Sequence, residues 1–147
     1  MQVSWRLRLF IAGTAIFCGP LRSEDRTRHK ALCSAYSPFT PCEVFIYEDA
    51  RITSNIPRGY LDVSRKNIRS IEVCDADVRC KPLLGENLKY VWKDSAISPF
   101  TAVVDFRMKY YDDFMQRKTV VFRYYNRFAA EEFGARLLKV SSGQSIK

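Results

Sequence analysis

The stretch "KTVVFRYYNRFAAEEFGARLLKV", residues 118–140, changes its hydrophobic rhythm at its middle. In its first part apolar or aromatic residues occupy every second position: Val120, Phe122 and Tyr124. That spacing is the period of a β-strand. In its second part the apolar residues recur at the period of a helix: Ala129, Phe133, Leu137 and Val140. The sequence therefore predicts a strand that leads directly into an amphipathic helix.

The predicted helix has signals at both of its ends. Asn126 is a favourable N-cap residue, because its side-chain oxygen can accept hydrogen bonds from the first free backbone N–H groups. Arg136 and Lys139 lie near the other end, where positive charge suits the helix dipole. We expect Phe133 and Leu137 to pack against a sheet.

Short strand-like segments precede this ending. The clearest is "AVVDFRMKY", residues 102–110, in which apolar and polar residues alternate. It is followed by "YDDFMQRK", residues 111–118, which predicts the turn of an antiparallel hairpin. The other segments are "CEVFIYED" (42–49), "GYLDV" (59–63), "IRSIEV" (68–73) and "LKYVWK" (88–93). Several short strands at this spacing indicate a mainly β domain, either a sandwich or a barrel, whose open end the helix can plug.

A run of antiparallel strands, then "VVFRYYN", then "AAEEFGARLL", resembles the pleckstrin-homology-like (PH-like) superfold, which includes the PH, PTB, GRAM and Ran-binding types. The resemblance covers about residues 42–140, and "GYLDVSRKNIRSIEV" resembles the middle of such a domain. It implies an antiparallel barrel or sandwich capped by one C-terminal α-helix. Most PH domains have a Trp in the last helix, where this chain has Phe133.

The regions outside 42–140 are predicted from composition. Residues 1–23 contain three arginines, no acid and the apolar run "LFIAGTAIFC" before a Gly-Pro pair. This pattern resembles a secretory signal peptide, but an acid-free start also suits a mitochondrial presequence, and the alternation within it also suits first strands that are retained. Residues 24–41 are predicted to be a linker or an edge segment, with the charged residues 21–30 as the linker. Residues 141–147 are predicted to be a tail.

The cysteines favour an oxidising compartment. The chain has five, and removal of a signal peptide that includes Cys18 would leave an even set: Cys33, Cys42, Cys74 and Cys80. Four cysteines allow three pairings, and all three stay open. Cys74 and Cys80 flank "DADVR", a predicted turn, so a disulfide across a hairpin is one expectation. The alternative is that the cysteines are small buried side chains in a reducing compartment.

We predict no metal site, no cofactor and no enzymatic activity. The chain has no C-x-x-C pair, and its single histidine, His29, lies in the polar run "RSEDRTRHK", where we expect it to be solvated. Because the only histidine is expected to lie outside the core, no Ser-His or Cys-His pair can be assembled from core residues. Neither the P-loop pattern nor the dinucleotide-binding glycine pattern occurs.

Charge points to a binding role. The chain has a formal net charge of +8 and a pI of about 9.4, which suits acidic partners. Residues 51–69 contain five basic residues and only one acid. The five basic residues are the predicted binding residues: Arg51, Arg58, Arg65, Lys66 and Arg69. Residues 64–67 are predicted to form a turn, which would leave Arg65 and Lys66 accessible.

Three functions fit these observations. The first is a non-enzymatic binding or adaptor domain that engages an acidic protein or an anionic membrane through basic loops. A protein is favoured over a lipid, because the basic pattern of the first hairpin that holds head groups in PH-like domains is missing. The alternative is a secreted, disulfide-stabilised β protein with an extracellular or host partner. The third is a mitochondrial RNA-associated protein, because basic residues alternate with tyrosines in residues 117–127.

Overall fold

A computed structural model describes residues 25–35, 38–56, 59–75, 79–84 and 103–142. Within these ranges the chain forms eight strands, one short 3-10 helix (Arg65–Asn67) and one α-helix, α1 (Arg127–Ser142). The strands are β1 (Arg26–Ser34), β2 (Thr40–Tyr47), β3 (Ile52–Ser54), β4 (Leu61–Val63), β5 (Ile68–Cys74), β6 (Cys80–Pro82), β7 (Val104–Tyr111) and β8 (Arg117–Tyr124). The domain is therefore mainly β, as predicted.

All eight strands belong to one antiparallel sheet with the order β4-β3-β2-β1-β8-β7-β5-β6. The sheet is not closed, because β4 and β6 are its two outer strands. Helix α1 packs on this sheet against β5, β7 and β8. The predicted architecture, antiparallel strands capped by a C-terminal helix, is confirmed in the described residues.

The hairpin of β7 and β8 supplies the centre of the core. Phe106 lies opposite Phe122 and Met108 lies opposite Val120, and all four side chains are fully buried. The alternation read from the sequence places them correctly, because side chains on a strand point to opposite faces in turn. Tyr124 is buried on the same face.

Helix α1 begins as predicted. The Asn126 side-chain oxygen accepts hydrogen bonds from the backbone N–H groups of Phe128 at 2.9 Å and Ala129 at 3.3 Å. The fully buried apolar side chains of the helix are Ala130, Phe133, Leu137 and Val140, and Gly134 is buried among them. Ala130 therefore takes the position that the sequence assigned to Ala129, which is only partly buried.

The prediction of a linker is wrong for residues 26–30, and the prediction of an edge is also wrong. Strand β1 lies inside the sheet between β2 and β8. Its outward side chains are charged and find partners there: Arg28 forms an ion pair with Glu43, and the guanidinium of Arg26 lies 4.2 Å from the centroid of the Phe45 ring. The charged side chains that were predicted to belong to a linker therefore lie on the solvent-facing side of a central strand.

His29 is buried rather than solvated, so that prediction is wrong as well. Its side chain is 6% exposed, and its ring meets the Phe133 ring edge-on with centroids 5.2 Å apart. His29 shares the inward face of β1 with Cys33. It is thus part of the contact between the sheet and α1.

Two disulfides join neighbouring strands. Cys33 of β1 pairs with Cys42 of β2 across 5.8 Å between Cα atoms, and Cys74 of β5 pairs with Cys80 of β6 across 4.1 Å. The second closes the hairpin that the sequence indicated. Disulfides form and persist in oxidising environments, so these two suggest a secretory-type environment.

Several predictions lie outside the described residues. They are the character of residues 1–23 with Cys18, the strand at 88–93 and the end of the tail at 143–147. No helix in the part of the chain that the structure describes is long and apolar enough to cross a membrane.

Candidate functional site

The basic segment predicted as a turn forms one turn of 3-10 helix. The backbone N–H of Asn67 donates to the carbonyl oxygen of Ser64 at 2.9 Å, and the strand β5 begins at the next residue. Because a 3-10 helix has about three residues per turn, this short segment turns sharply and presents its side chains outward. Arg65 and Lys66 are both exposed.

These residues lie at a groove of about 550 Å³ where the start of β5 meets the end of α1. We call it the basic groove. Its lining residues are Arg65, Lys66, Ile68, Arg69, Ser70, Ile71, Val140 and Ser141. Three of the five predicted binding residues therefore meet at one place, and α1 supplies the opposite wall. A volume of this size is typical of sites for small ligands or inserted side chains.

The basic groove has an apolar part and a charged part. Ile71 and Val140 are buried, and Ile68 is partly buried against the core. The end of α1 contributes roughly half a negative charge, since the last carbonyl groups of a helix have no partners within it. Three cationic side chains exceed that charge, and the lining residues within the described chain include no acid. The described residues that line the groove therefore carry a net positive charge.

Arg69 is held in place by two local features. The register between β5 and β7 shifts between Ile68 and Ser70, and such an irregularity redirects the side chain at that point. The guanidinium of Arg69 then lies 5.3 Å from the centroid of the Tyr111 ring, a distance that allows a cation–π contact. Arg69 is thus oriented by β7 while its side chain stays exposed.

The other two predicted binding residues do not join this site. Arg51 is absent from the groove lining and ends the turn between β2 and β3. Its guanidinium stacks 4.2 Å from the centroid of the Tyr47 ring, and it is half-buried. Arg51 therefore packs at another part of the sheet. Arg58 lies outside the described residues.

Sequence reasoning missed the surroundings of His29. Its Nε2 lies 2.9 Å from the Thr27 hydroxyl. Burial lowers the pKa of His29 below its usual value; the Glu132 carboxylate opposes this shift and the Arg136 guanidinium adds to it. His29 is therefore held neutral beneath α1, and its contacts are those of a packing residue.

One further cluster has the side chains of a metal site. Ligand atoms of Glu72, Cys74 and Cys80 lie within 4.8 Å of one another. The two sulfur atoms are joined to each other, so they cannot act as thiolate ligands while the disulfide is intact. The cluster therefore fits a structural disulfide better than a metal centre.

Comparison of the chain with protein-family models gives no match, and comparison with curated proteins gives none. The resemblance to the PH-like superfold stays a prediction from the sequence pattern.

Proposed function

We propose that this chain is a non-enzymatic binding domain whose basic groove takes up carboxylates of an acidic partner protein. The observation that supports this proposal most is the meeting of Arg65, Lys66 and Arg69 around one groove. Guanidinium groups bind carboxylates through paired hydrogen bonds, and a lysine adds a compact positive charge. The net charge of +8 would draw an acidic partner toward the surface before contact.

The disulfides favour a partner outside the reducing cytosol. We therefore combine the binding role with the secreted alternative and propose an extracellular or secretory-pathway domain. A kinship with the PH-like superfold remains part of the proposal, supported by the antiparallel strands and the strand-to-helix ending.

Association with RNA is less well supported. Of the residues that suggested it, Tyr124 is only 4% exposed and so offers no face for a base to stack on. The Nε and Nη2 groups of Arg123 donate to the two carboxylate oxygens of Asp105, at 2.8 and 2.9 Å. Within β8, Tyr124 is thus explained by packing on one face and Arg123 by ion pairing on the other. Tyr125, which follows the strand, is 49% exposed.

Charge reversal in the basic groove tests the proposal. The probe is a fluorescein-labelled peptide of alternating Glu and Ser, and its binding is measured by anisotropy over a salt series. The variant Arg65→Glu with Lys66→Glu should bind at least tenfold more weakly and with a flatter salt dependence, because fewer cations attract the peptide.

The matched control makes the same change of total charge elsewhere. Lys30→Glu with Arg79→Glu alters two exposed basic residues that do not line the groove. This control should keep most of the affinity. Equal loss in both variants would show that only the total charge matters, and no loss in the groove variant would rule out the basic groove as the contact surface.

A further inference from the structure

The tip of the β7–β8 hairpin presents two large apolar side chains to solvent. Phe114 is 84% exposed and Met115 is 66% exposed, so Phe114 is the most exposed large hydrophobic residue in the described chain. A single exposed apolar residue needs no explanation, but two neighbours at the extreme end of a hairpin form a projecting apolar surface.

This tip is built to hold its shape. The backbone N–H of Asp112 donates to the Gln116 carbonyl oxygen and that of Met115 donates to the Asp112 carbonyl oxygen, both at 3.0 Å. The Asp112 carboxylate accepts two further bonds, from the N–H groups of Phe114 at 2.9 Å and Gln116 at 2.8 Å. The backbone of the turn that carries the apolar pair is therefore held by these four hydrogen bonds, which lowers the entropy cost of ordering the turn on binding.

The backbone conformation at Met115 is one that a methionine adopts only at a cost. Its φ is 60°, in the left-handed region that Gly and Asn adopt most easily. A Met at this position costs stability, of the order of 1–3 kcal/mol for a non-Gly residue in a sparsely populated conformation. An exposed apolar residue at a strained turn position contributes nothing to the core, so its use points to a contact outside the chain.

The tip and the basic groove lie at the same end of the sheet. Ile68, at the start of β5, is opposite Tyr110, near the end of β7. Arg69 contacts the next residue, Tyr111, through its ring. Phe114 follows three residues later, so at most about 10 Å of extended chain separates it from Tyr111. A single partner segment can therefore reach both features.

We infer that the basic groove and the hairpin tip form one docking surface for a protein segment that is acidic on one side and apolar on the other. This inference rests on the proposed function and adds to it the apolar half of the partner. Phe114 and Met115 are the anchor, while Arg65, Lys66 and Arg69 receive the carboxylates. Buried aromatic anchors beside arginines supply much of the affinity of protein interfaces.

The tip carries charges of both signs, because Asp113 and Arg117 are both exposed, and this suits the polar rim of a protein contact better than insertion into an anionic membrane. Asp113 is exposed directly beside Phe114. Insertion of the tip into an anionic bilayer would bring this carboxylate against lipid phosphates, which repel it. In a protein partner the same carboxylate can stay in solvent at the rim of the contact.

Defined peptides test the inference. The first probe has 18 residues with Leu and Glu at helical spacing, and such a helix spans about 27 Å. The second is a scrambled isomer of the same composition, and the third contains only Glu and Ser. Wild-type protein should bind the first at least tenfold more tightly than either of the others.

Two variants test whether binding depends on the apolar pair at the tip or on any exposed aromatic side chain. Phe114→Ala with Met115→Ala should abolish the preference for the amphipathic peptide while leaving the binding of the Glu-Ser peptide and the unfolding midpoint unchanged. Phe128→Ala is the control, since Phe128 is 65% exposed but lies at the start of α1. It should keep the preference.

The other outcomes overturn the inference in distinguishable ways. A tip variant that keeps the preference would remove the anchor and leave the proposed function intact. Failure of wild-type protein to bind any acidic peptide would overturn both. Tip-dependent binding to phosphatidylserine-containing vesicles, without tip-dependent binding to the peptides, would replace the protein partner with a membrane.

Discussion

Truncation of Phe133 tests the contact between α1 and the sheet. This side chain is fully buried, and its ring meets four others: His29 at 5.2 Å, Phe106 and Phe122 at 5.3 Å, and Tyr124 at 5.0 Å between centroids. Three of these contacts are edge-to-face and one is tilted. Phe133→Ala removes the one ring that joins β1, β7 and β8 within the described core.

The expected loss is about 4 kcal/mol. Burial and cavity effects together make a Phe→Ala change in a core cost about 3–5 kcal/mol. Each well-placed ring pair adds about 0.5–1.5 kcal/mol beyond area burial, which favours the upper half of that range. For a domain of this size the loss corresponds to a fall of about 8–16 °C in Tm. Domains have total stabilities of about 5–15 kcal/mol, so the variant should retain about 1–11 kcal/mol and still fold.

Urea denaturation of the oxidised protein, followed by circular dichroism, measures this loss. Phe128→Ala is the matched control on the same helix, and we expect it to change the free energy of unfolding by less than about 0.5 kcal/mol, because the side chain is mostly exposed. A loss below about 1 kcal/mol for Phe133→Ala would refute the argument that α1 covers the sheet through this residue.

Three further results are expected. Because the pKa of His29 is lowered in the folded state, its stabilising contribution is complete above pH 6.5 and is lost as the pH falls below that value. Urea unfolding should therefore show a lower free energy of unfolding at pH 6 than at pH 8, and His29→Gln should reduce this difference. Mass spectrometry of the protein isolated without reductant should show both disulfides, and four free thiols would refute the secretory assignment. Asn126→Ala should cost about 1 kcal/mol in the same denaturation assay, because two backbone N–H groups lose their acceptor, and an unchanged midpoint would show that the cap contributes nothing.

The elements with a strong local period could be predicted from the sequence. In β7 apolar residues alternate with polar ones, in β8 every second residue from Val120 to Tyr124 is apolar or aromatic, and in α1 the apolar positions follow the helical period. These patterns arise because one face of each element is buried, and they need no knowledge of the partner element. The cap at Asn126 is equally local.

Strand β1 could not be predicted in the same way. Its charged residues find partners on β2, and its inward face includes a histidine and a cysteine rather than a clear apolar series. Only the neighbouring strands make that face a core. Tertiary packing therefore determines the structure of this segment, and a prediction of a linker from its local charge fails.

Part of the candidate site could likewise be predicted from local sequence and part could not. The basic residues at 65, 66 and 69 were visible in the sequence, but the wall formed by Val140 and Ser141 is distant along the chain. Arg51 belonged to the same run of sequence and lies elsewhere. The hairpin tip did leave a sequence signal, since Phe114-Met115 is an apolar pair within an otherwise polar predicted turn.

The position of β1 has a consequence for folding. It pairs with β8 at only three positions, Leu32, Cys33 and Ser34. Each of these residues is about 90 residues away from its partner in β8, so a large loop must close before the sheet is continuous. Each disulfide links strands on one side of this seam and none of the described ones crosses it. At high concentration during refolding, the β1–β4 half of one molecule can pair with the β8 of another. Domain-swapped dimers, with both intramolecular disulfides intact, are the misassembly that this topology favours.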